Sequence, residues 1–239
     1  MFKKLLTIVI GVCLVFSLQP GKAEAGESLI IATATTGGTY YPVGVALGTL
    51  ISIKLAKKHG ITATAINSAG SGENVQMLKN KEAQLGILQS LFGLNAYQGK
   101  GPYKGRAVKD FRSITMLWEN VEHFSLLSKY VDSGTIMDLQ GLEGRFSIGK
   151  RGSGTEGSGR AILQALGIAP DNLNLEYLGY NPSAQAMMDG RIVGMNTPAG
   201  PPVAAVTQLF AQMGSKKVDV LDFSAEQLET IQSEYPIWN

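Results

Sequence analysis

Apolar residues in the first third of the chain follow two different spacings. Positions 29–34 form an apolar run typical of a buried strand, whereas the apolar positions from Val43 to Leu55 recur at helical spacing. Gly60 then follows three basic residues, as glycine commonly does at the end of a helix. Similar patterns predict strands over 61–66 and 84–88 and a short helix over 73–79. This order of strands and helices indicates a parallel sheet with helices on its faces.

The same order returns in the second half of the chain. The stretch "NVQMLKNKEAQLGIL" at 74–88 has a counterpart in "SAQAMMDGRIVGMN" at 183–196, each a helix, a polar turn and a strand. The predicted elements of this half are strands over 145–149, 173–178 and 192–195 and helices around 161–166 and 184–189. Two further strands are expected over 113–118 and 123–128, one of them crossing between the halves. We therefore predict an α/β fold of two lobes, each a mostly parallel sheet flanked by helices.

The first 25 residues have the features of a secretory leader. Lys3 and Lys4 precede an apolar stretch that is too short for a membrane span, and the small residues Ala23 and Ala25 form a cleavage site. The sequence thus predicts cleavage after Ala25 and an exported protein in the periplasm. Cys13, the single cysteine, lies inside this leader, so the mature chain is expected to hold no disulfide. We expect the first lobe to cover 26–118 and the second 119–239.

Charge gives little support for a nucleic-acid or membrane partner. The formal net charge is +2 over the whole chain. The leader contributes three lysines and one glutamate, so the mature part is close to neutral and has no basic run. We therefore expect no nucleic acid among the partners.

Glycine-rich loops follow the first strand of each half. The loop "TTGGTYYPVG" begins at Thr35 and the loop "GSGT" at Gly152, and both lead into predicted helices. Ligands of open α/β sheets bind beyond the carboxyl ends of strands, where helix N-termini offer unpaired N–H groups. Two such lobes facing each other predict a cleft that binds one small anion. Thr39 is a candidate cap for the helix in which Pro42 occupies the first turn.

Motifs for other chemistry are weak. Residues 152–157 satisfy G-x-G-x-x-G, and residues 144–150 imitate a phosphate-binding loop in which Arg151 replaces the required Ser or Thr. We reject both as nucleotide sites and expect no cofactor. Only His59 and His123 are histidines, and their spacing supports no metal site. We expect no catalytic residues, although a Ser-His-Asp triad need not be local in sequence, so an exported hydrolase remains an alternative.

Several polar and aromatic residues have two readings each. At least one of Tyr40 and Tyr41 is expected at the ligand because both lie beside the glycines, with a core or surface role as the alternative. Asn74 and Gln89 are either solvated or directed into the cleft. For Trp118 we favour a role in the core over stacking on a ligand.

Four segments together resemble a known family. The leader is followed by "IATATTGGTYYPVGVALGTLIS", "SAGSGENVQMLKNKEAQLGILQS" and "IGKRGSGTEGSGRAILQALGI" in that order. They resemble the TAXI family of TRAP-associated extracytoplasmic solute-binding proteins. The resemblance implies a two-lobed periplasmic binding protein that works as a monomer and closes on a small carboxylate such as glutamate or a dicarboxylate. It also implies delivery to the membrane subunits of a TRAP transporter, with the binding component of an ABC importer as the alternative.

The resemblance also implies the ligand contacts, mapped by position. They come from both lobes: Thr36, Gly37, Gly38, Thr39, Tyr40, Ser68, Ser71, Asn74 and Gln89, then Ser153, Gly154, Thr155, Asn196 and Pro198. Family members usually continue several tens of residues further and return to the first lobe. The expectation is therefore that this chain is truncated and lacks the return.

Overall fold

The structure is a computed structural model that describes residues 26–238. The predicted leader, its cleavage site and Cys13 lie outside the described residues. Within this range no helix has both the length and the hydropathy that a membrane span requires.

The first lobe is built on a three-stranded parallel sheet in the order β2-β1-β3. Its strands are β1 (Ser28–Ala32), β2 (Thr62–Ile66) and β3 (Leu85–Gly86), and its helices are α1 (Tyr40–His59), α2 (Ser71–Lys79) and α3 (Ser90–Gln98). As the sequence predicts, α1 ends at Gly60, which adopts φ 66° and donates its N–H to the carbonyl of Ala56. Each strand is followed by a helix, so the helices all begin at the same edge of the sheet.

Two glycines let α1 approach the sheet closely. A side chain at Gly44 would overlap Thr33, and one at Gly48 would lie 3.0 Å from the carbonyl oxygen of Ala63. Ser52, one turn further, accepts the N–H of Ala63 at 2.9 Å. The close packing fixes the start of α1 against the end of β1.

The second lobe contains a five-stranded mixed sheet in the order β6-β5-β7-β4-β8. Its strands are β4 (Phe124–Leu127), β5 (Arg145–Ser147), β6 (Asn174–Glu176), β7 (Gly194–Asn196) and β8 (Val218–Val220). Its helices are α4 (Gly154–Ala165), α5 (Tyr180–Met188), α6 (Ala204–Met213) and α7 (Ala225–Glu234). Strands β5, β6 and β7 are parallel, whereas β4 runs antiparallel to both β7 and β8.

Apolar clusters cover both faces of this sheet. One contains the stacked rings of Phe124 and Phe146, whose centroids lie 6.2 Å apart, together with Ile162 and Leu163 of α4. The other packs α5 and α6 around Met195. Because both faces are covered, the ends of the strands and the loops after them remain for a site.

The predicted fold class is confirmed, and so is the resemblance between 74–88 and 183–196, which form α2–β3 and α5–β7. The strand predicted over 113–118 is wrong. This segment has no strand partner in the described chain, and Ile114 and Met116 are 79% and 74% exposed. Its strand-like composition alone does not make a strand, since a strand also needs a neighbour to accept its backbone hydrogen bonds.

Candidate functional site

A small cavity lies between the two sheets and is partly open to solvent. Five helices begin at its wall. The lining residues come from the ends of strands and the starts of helices: Ala34, Thr35, Gly38, Thr39, Tyr40, Ala69, Gly70, Ser71, Gln89, Gly154, Thr155, Tyr180, Pro198 and Ala199.

The chain order explains why these helix starts meet. In the first lobe β1, β2 and β3 lead into α1, α2 and α3, and in the second β5 and β6 lead into α4 and α5. The first N–H groups of a helix have no partner within the helix, and its N-terminus carries a partial positive charge. The residues that line the cavity include no Asp, Glu, Lys or Arg. The cavity is therefore electropositive through backbone dipoles rather than through charged side chains.

Glycines bring backbone to the cavity wall. A Cβ on Gly154 would lie 2.7 Å from Ser71 Oγ and 2.8 Å from Gln89 Oε1, both of which belong to the opposite lobe. A Cβ on Gly38 would lie 3.0 Å from the ring of Tyr180. The lobes approach so closely here that a side chain at either glycine would hold them apart.

Two tyrosines form opposite walls of the cavity. Tyr40 is the first residue of α1 and Tyr180 the first residue of α5, and each is followed two residues later by a proline. Burial raises the pKa of Tyr40 to about 12 and raises the pKa of Tyr180 further still, so both hydroxyls stay neutral.

The hydroxyl of Tyr180 is the centre of a short hydrogen-bonded chain. It donates to the carbonyl oxygen of Pro198 at 2.6 Å and lies 2.9 Å from Thr155 Oγ1. Because the single proton of Tyr180 goes to Pro198, Thr155 donates its own proton to Tyr180. Thr155 thus presents lone pairs, not a proton, to the rest of its surroundings.

Contacts between the lobes continue beside the cavity. Thr39 donates to the carbonyl oxygen of Gly200 at 2.7 Å, and the N–H of Ala205 bonds the carbonyl of Gly37 at 3.3 Å. The ring of Trp118 packs edge-on against Tyr40 at 5.7 Å between centroids. Trp118 is half-buried and packs beside the cavity wall, outside the core clusters of the described residues.

The carboxyl group of Glu122 lies close enough to Tyr40 and Tyr180 for its charge to affect both hydroxyls. Its Oε2 accepts from Asn196 Nδ2 at 3.1 Å. Burial raises the pKa of Glu122 to about 7, and hydrogen bonds from Ser158 and Asn196 offset part of this effect. Glu122 therefore changes charge near neutral pH.

The structure places eight of the predicted contacts at the cavity. They are Gly38, Thr39, Tyr40, Ser71, Gln89, Gly154, Thr155 and Pro198. Six others do not line it: Thr36, Gly37, Ser68, Asn74, Ser153 and Asn196.

Each of these six has a different position or partner. Thr36 is exposed, and Gly37 packs against Asn181. Asn74 is fully buried and its amide group donates to backbone carbonyls of Thr33 and Ile87. The side chains of the other three residues form hydrogen bonds within the protein. Ser68 bonds to Asn74, Ser153 to the N–H of Glu156, and Asn196 to Glu122. The prediction that Thr39 caps α1 is wrong. Its side chain makes no cap bond and donates to Gly200 of the other lobe instead.

Tyr180 is a lining residue that the sequence analysis missed. The signal was present, because "TYYP" at 39–42 and "GYNP" at 179–182 place Tyr and Pro identically at the starts of α1 and α5. A search for the first motif in the second half would have found it.

Within residues 26–238, no three His, Cys, Asp or Glu side chains cluster where they could hold a metal ion. Gln89 Oε1 and Asn196 Oδ1 are buried and have no hydrogen-bond partner among the described residues.

Solved structures share this architecture. The chain matches the alkanesulfonate-binding protein SsuA from Xanthomonas axonopodis pv. citri, bound to MOPS, with 15% identity and a TM-score of 0.52, over 84% of this chain and 62% of that one. PhnD1 from Prochlorococcus marinus, in complex with methylphosphonate, matches with 13% identity and a TM-score of 0.55 over 82% and 72%. The GluR0 ligand-binding core from Nostoc punctiforme, in complex with L-glutamate, matches with 15% identity and a TM-score of 0.50 over 88% and 98%.

These likenesses define the class as the two-lobed periplasmic-binding-protein fold. Within that class, the chain belongs to the NMT1-like family, whose family model matches residues 31–239. It spans about 62% of the length of SsuA.

Proposed function

We propose that this protein binds a small carboxylate in the cleft between its lobes and has no catalytic step. The observation that carries the proposal is the meeting of five helix N-termini at a cavity without charged side chains. Unpaired N–H groups and helix dipoles stabilise an anion without a buried arginine. A neutral sugar would gain little from them.

The bound molecules of the three similar structures support an anionic solute. They are MOPS in SsuA, methylphosphonate in PhnD1 and L-glutamate in the GluR0 core. We favour a carboxylate, glutamate-like or a dicarboxylate, because the sequence blocks around "GGTYYP" and "GSGTEGSGR" resemble those of the TAXI family. Sulfonates and phosphonates are the competing headgroups.

We further propose that the protein is exported to the periplasm and delivers its solute to the membrane subunits of a TRAP transporter. The support is the leader-like N-terminus and the TAXI resemblance. Delivery to an ABC importer is the alternative, and SsuA, a sulfonate binder, shares the fold. A transport assay in cells that lack either the TRAP transporter or the ABC importer encoded near this gene distinguishes the two alternatives.

A thermal-shift screen tests the solute class. The panel contains carboxylates, sulfonates, phosphonates and neutral sugars at matched concentration. A ligand at 100 times its Kd stabilises the folded state by about 2.7 kcal/mol, which is easily detected. Stabilisation by a carboxylate supports the proposal. Stabilisation by a sugar alone, or by a sulfonate with no effect of any carboxylate, overturns it.

Gly154→Ala tests the place of binding. Its methyl group would contact Ser71 Oγ and Gln89 Oε1, so closure of the lobes on the solute is blocked and the affinity falls at least tenfold. Gly93→Ala in α3 is the matched control, because its methyl group meets nothing nearer than Leu88 at 3.8 Å. Calorimetric titration should show a loss of affinity in Gly154→Ala and none in Gly93→Ala. Equal affinities would place the solute elsewhere.

A further inference from the structure

The side-chain amide of Gln89 is unusual among the residues that line the cavity. Its Oε1 atom is buried and has no hydrogen-bond partner among the described residues. Gln89 is also the residue before α3, yet its side chain makes no cap bond there. A buried acceptor without a donor is costly, so a group at this position needs a partner that the protein itself does not supply.

The position of this oxygen relates it to the anion-binding helix starts. It lies 2.8 Å from the point where a Cβ on Gly154 would be, and Ser71 Oγ lies 2.7 Å from the same point. Gly154 begins α4 and Ser71 begins α2. The backbone N–H of Gln89 already donates to Ser71 Oγ at 2.9 Å, which anchors the residue at this place. The acceptor oxygen is thus directly beside the N–H groups that would hold an anion.

We propose that Gln89 Oε1 determines specificity by accepting a hydrogen bond from a donor on the carbon next to the anionic group of the solute. The solute is then a 2-hydroxy or 2-amino acid, not an unsubstituted or 2-oxo acid. This inference rests on the proposed function. The position of Gln89 Oε1 supports this inference. An oxygen beside the anion site can reach a substituent on the carbon next to the anionic group, whereas a substituent further along the solute would lie beyond it.

The competing substituents behave differently toward an acceptor. A hydroxyl or ammonium group donates to Oε1, a methylene group leaves it unpaired, and a 2-oxo group places a second acceptor against it. One neutral hydrogen bond changes affinity by about three- to tenfold. The hydroxy or amino acid should therefore bind about three- to tenfold more tightly than the unsubstituted acid, and its advantage over the 2-oxo acid should be larger.

Two series of acids test the proposal by calorimetric titration. The short series is propionate, L-lactate, L-alanine and pyruvate, and the long series is glutarate, L-2-hydroxyglutarate, L-glutamate and 2-oxoglutarate. In at least one series the hydroxy or amino acid should bind three- to tenfold more tightly than the unsubstituted acid. The comparison of hydroxy with amino acid identifies the donor, and Gln89→Glu should favour the amino acid alone, since its carboxylate pairs with an ammonium group.

Gln89→Met removes the acceptor at similar length and should abolish the preference, so that the substituted and the unsubstituted acid bind with equal affinity. Gln98→Met, at the exposed far end of the same helix, is the matched control and should keep it. Equal binding within both series, tighter binding of the 2-oxo acid, or a preference that survives in Gln89→Met overturns the inference and leaves the proposed function standing. Failure of all eight acids to bind contradicts the proposed function as well.

Discussion

The carboxyl group of Glu122 makes the protein sensitive to pH at the scale of one residue. Its pKa is about 7 in the folded state against 4.5 for an unperturbed glutamate, because burial disfavours the charged form. Between these values the folded state binds more protons than the unfolded state. Stability therefore falls as pH rises from about 4.5 to about 7 and is level above that.

Glu122→Gln should remove this pH dependence. The wild-type protein should lose at most about 3 kcal/mol of unfolding free energy between pH 5 and pH 8, less where water reaches the carboxylate. The amide cannot ionise, so the variant should be more stable than the wild type at pH 8 and similar at pH 5. Urea unfolding at both pH values measures the difference. Parallel profiles of the two proteins would show that Glu122 does not titrate in this range.

Tyr180→Phe tests the hydrogen-bonded chain beside the cavity. The change leaves the carbonyl of Pro198 and the hydroxyl of Thr155 without their partner, so unfolding free energy should fall by about 1–3 kcal/mol. Tyr97 is 44% exposed, so Tyr97→Phe is the control and should change the free energy of unfolding little. If both variants unfold at the wild-type urea concentration, the chain of hydrogen bonds contributes nothing measurable.

At the scale of secondary-structure elements, the start of α4 combines a cap with a wall of the cavity. Ser153 accepts the N–H of Glu156 at 3.0 Å, as an N-cap does. Ser153 does not line the cavity. Its contribution is therefore to the helix, and the helix in turn positions Gly154 and Thr155.

Ser153→Ala should consequently lower stability and affect binding only weakly. We expect a loss of about 1 kcal/mol, the usual cost of an absent cap. Ser224→Ala, which removes the cap of α7 outside the cavity lining, is the matched control. Both variants should unfold at similarly lowered urea concentrations and bind within about threefold of wild type. A hundredfold loss of affinity in Ser153→Ala alone would instead assign its hydroxyl to the solute.

We expect the contact between α3 and α4 to affect closure of the lobes as well. Phe92 of α3 packs so close to Gly157 of α4 that a Cβ at Gly157 would overlap its ring. Gly157→Ala should thus weaken binding about tenfold although it lies outside the cavity lining. The smaller side chain of Phe92→Leu should restore part of the loss in the double variant. Titration of the wild type, the two single variants and the double variant gives the coupling energy between Gly157 and Phe92. If the effects of the two substitutions on affinity simply add, this contact has no part in closure.

At the scale of the whole molecule, we propose that the leader-like N-terminus directs export of the protein. Ala23 and Ala25 precede a polar start, so the mature protein should begin at Gly26. N-terminal sequencing of protein from the periplasmic fraction measures this directly. Recovery of Met1 from a membrane fraction would contradict both cleavage and release. A variant with Ala25→Leu should block cleavage and serves as the control.

Local patterns in the sequence were sufficient for the fold class and for the position of the cleft. Strand and helix periodicities depend on residues close in sequence, and glycine or proline marks the ends of elements, as at Gly60 and Pro42. Because parallel strands bring their carboxyl ends to one edge, the loops at Gly38 and Gly154 could be expected to meet. Both line the cavity.

The partners of individual side chains were decided only by tertiary contacts. Ser68 and Asn74 lie in a cleft-side loop and helix but bond to each other and to backbone. Thr39 reaches a carbonyl 161 positions away, and Tyr180 enters the cavity from the opposite lobe to Tyr40. Such contacts depend on how the lobes meet, a relation between segments far apart in the chain that no local spacing encodes.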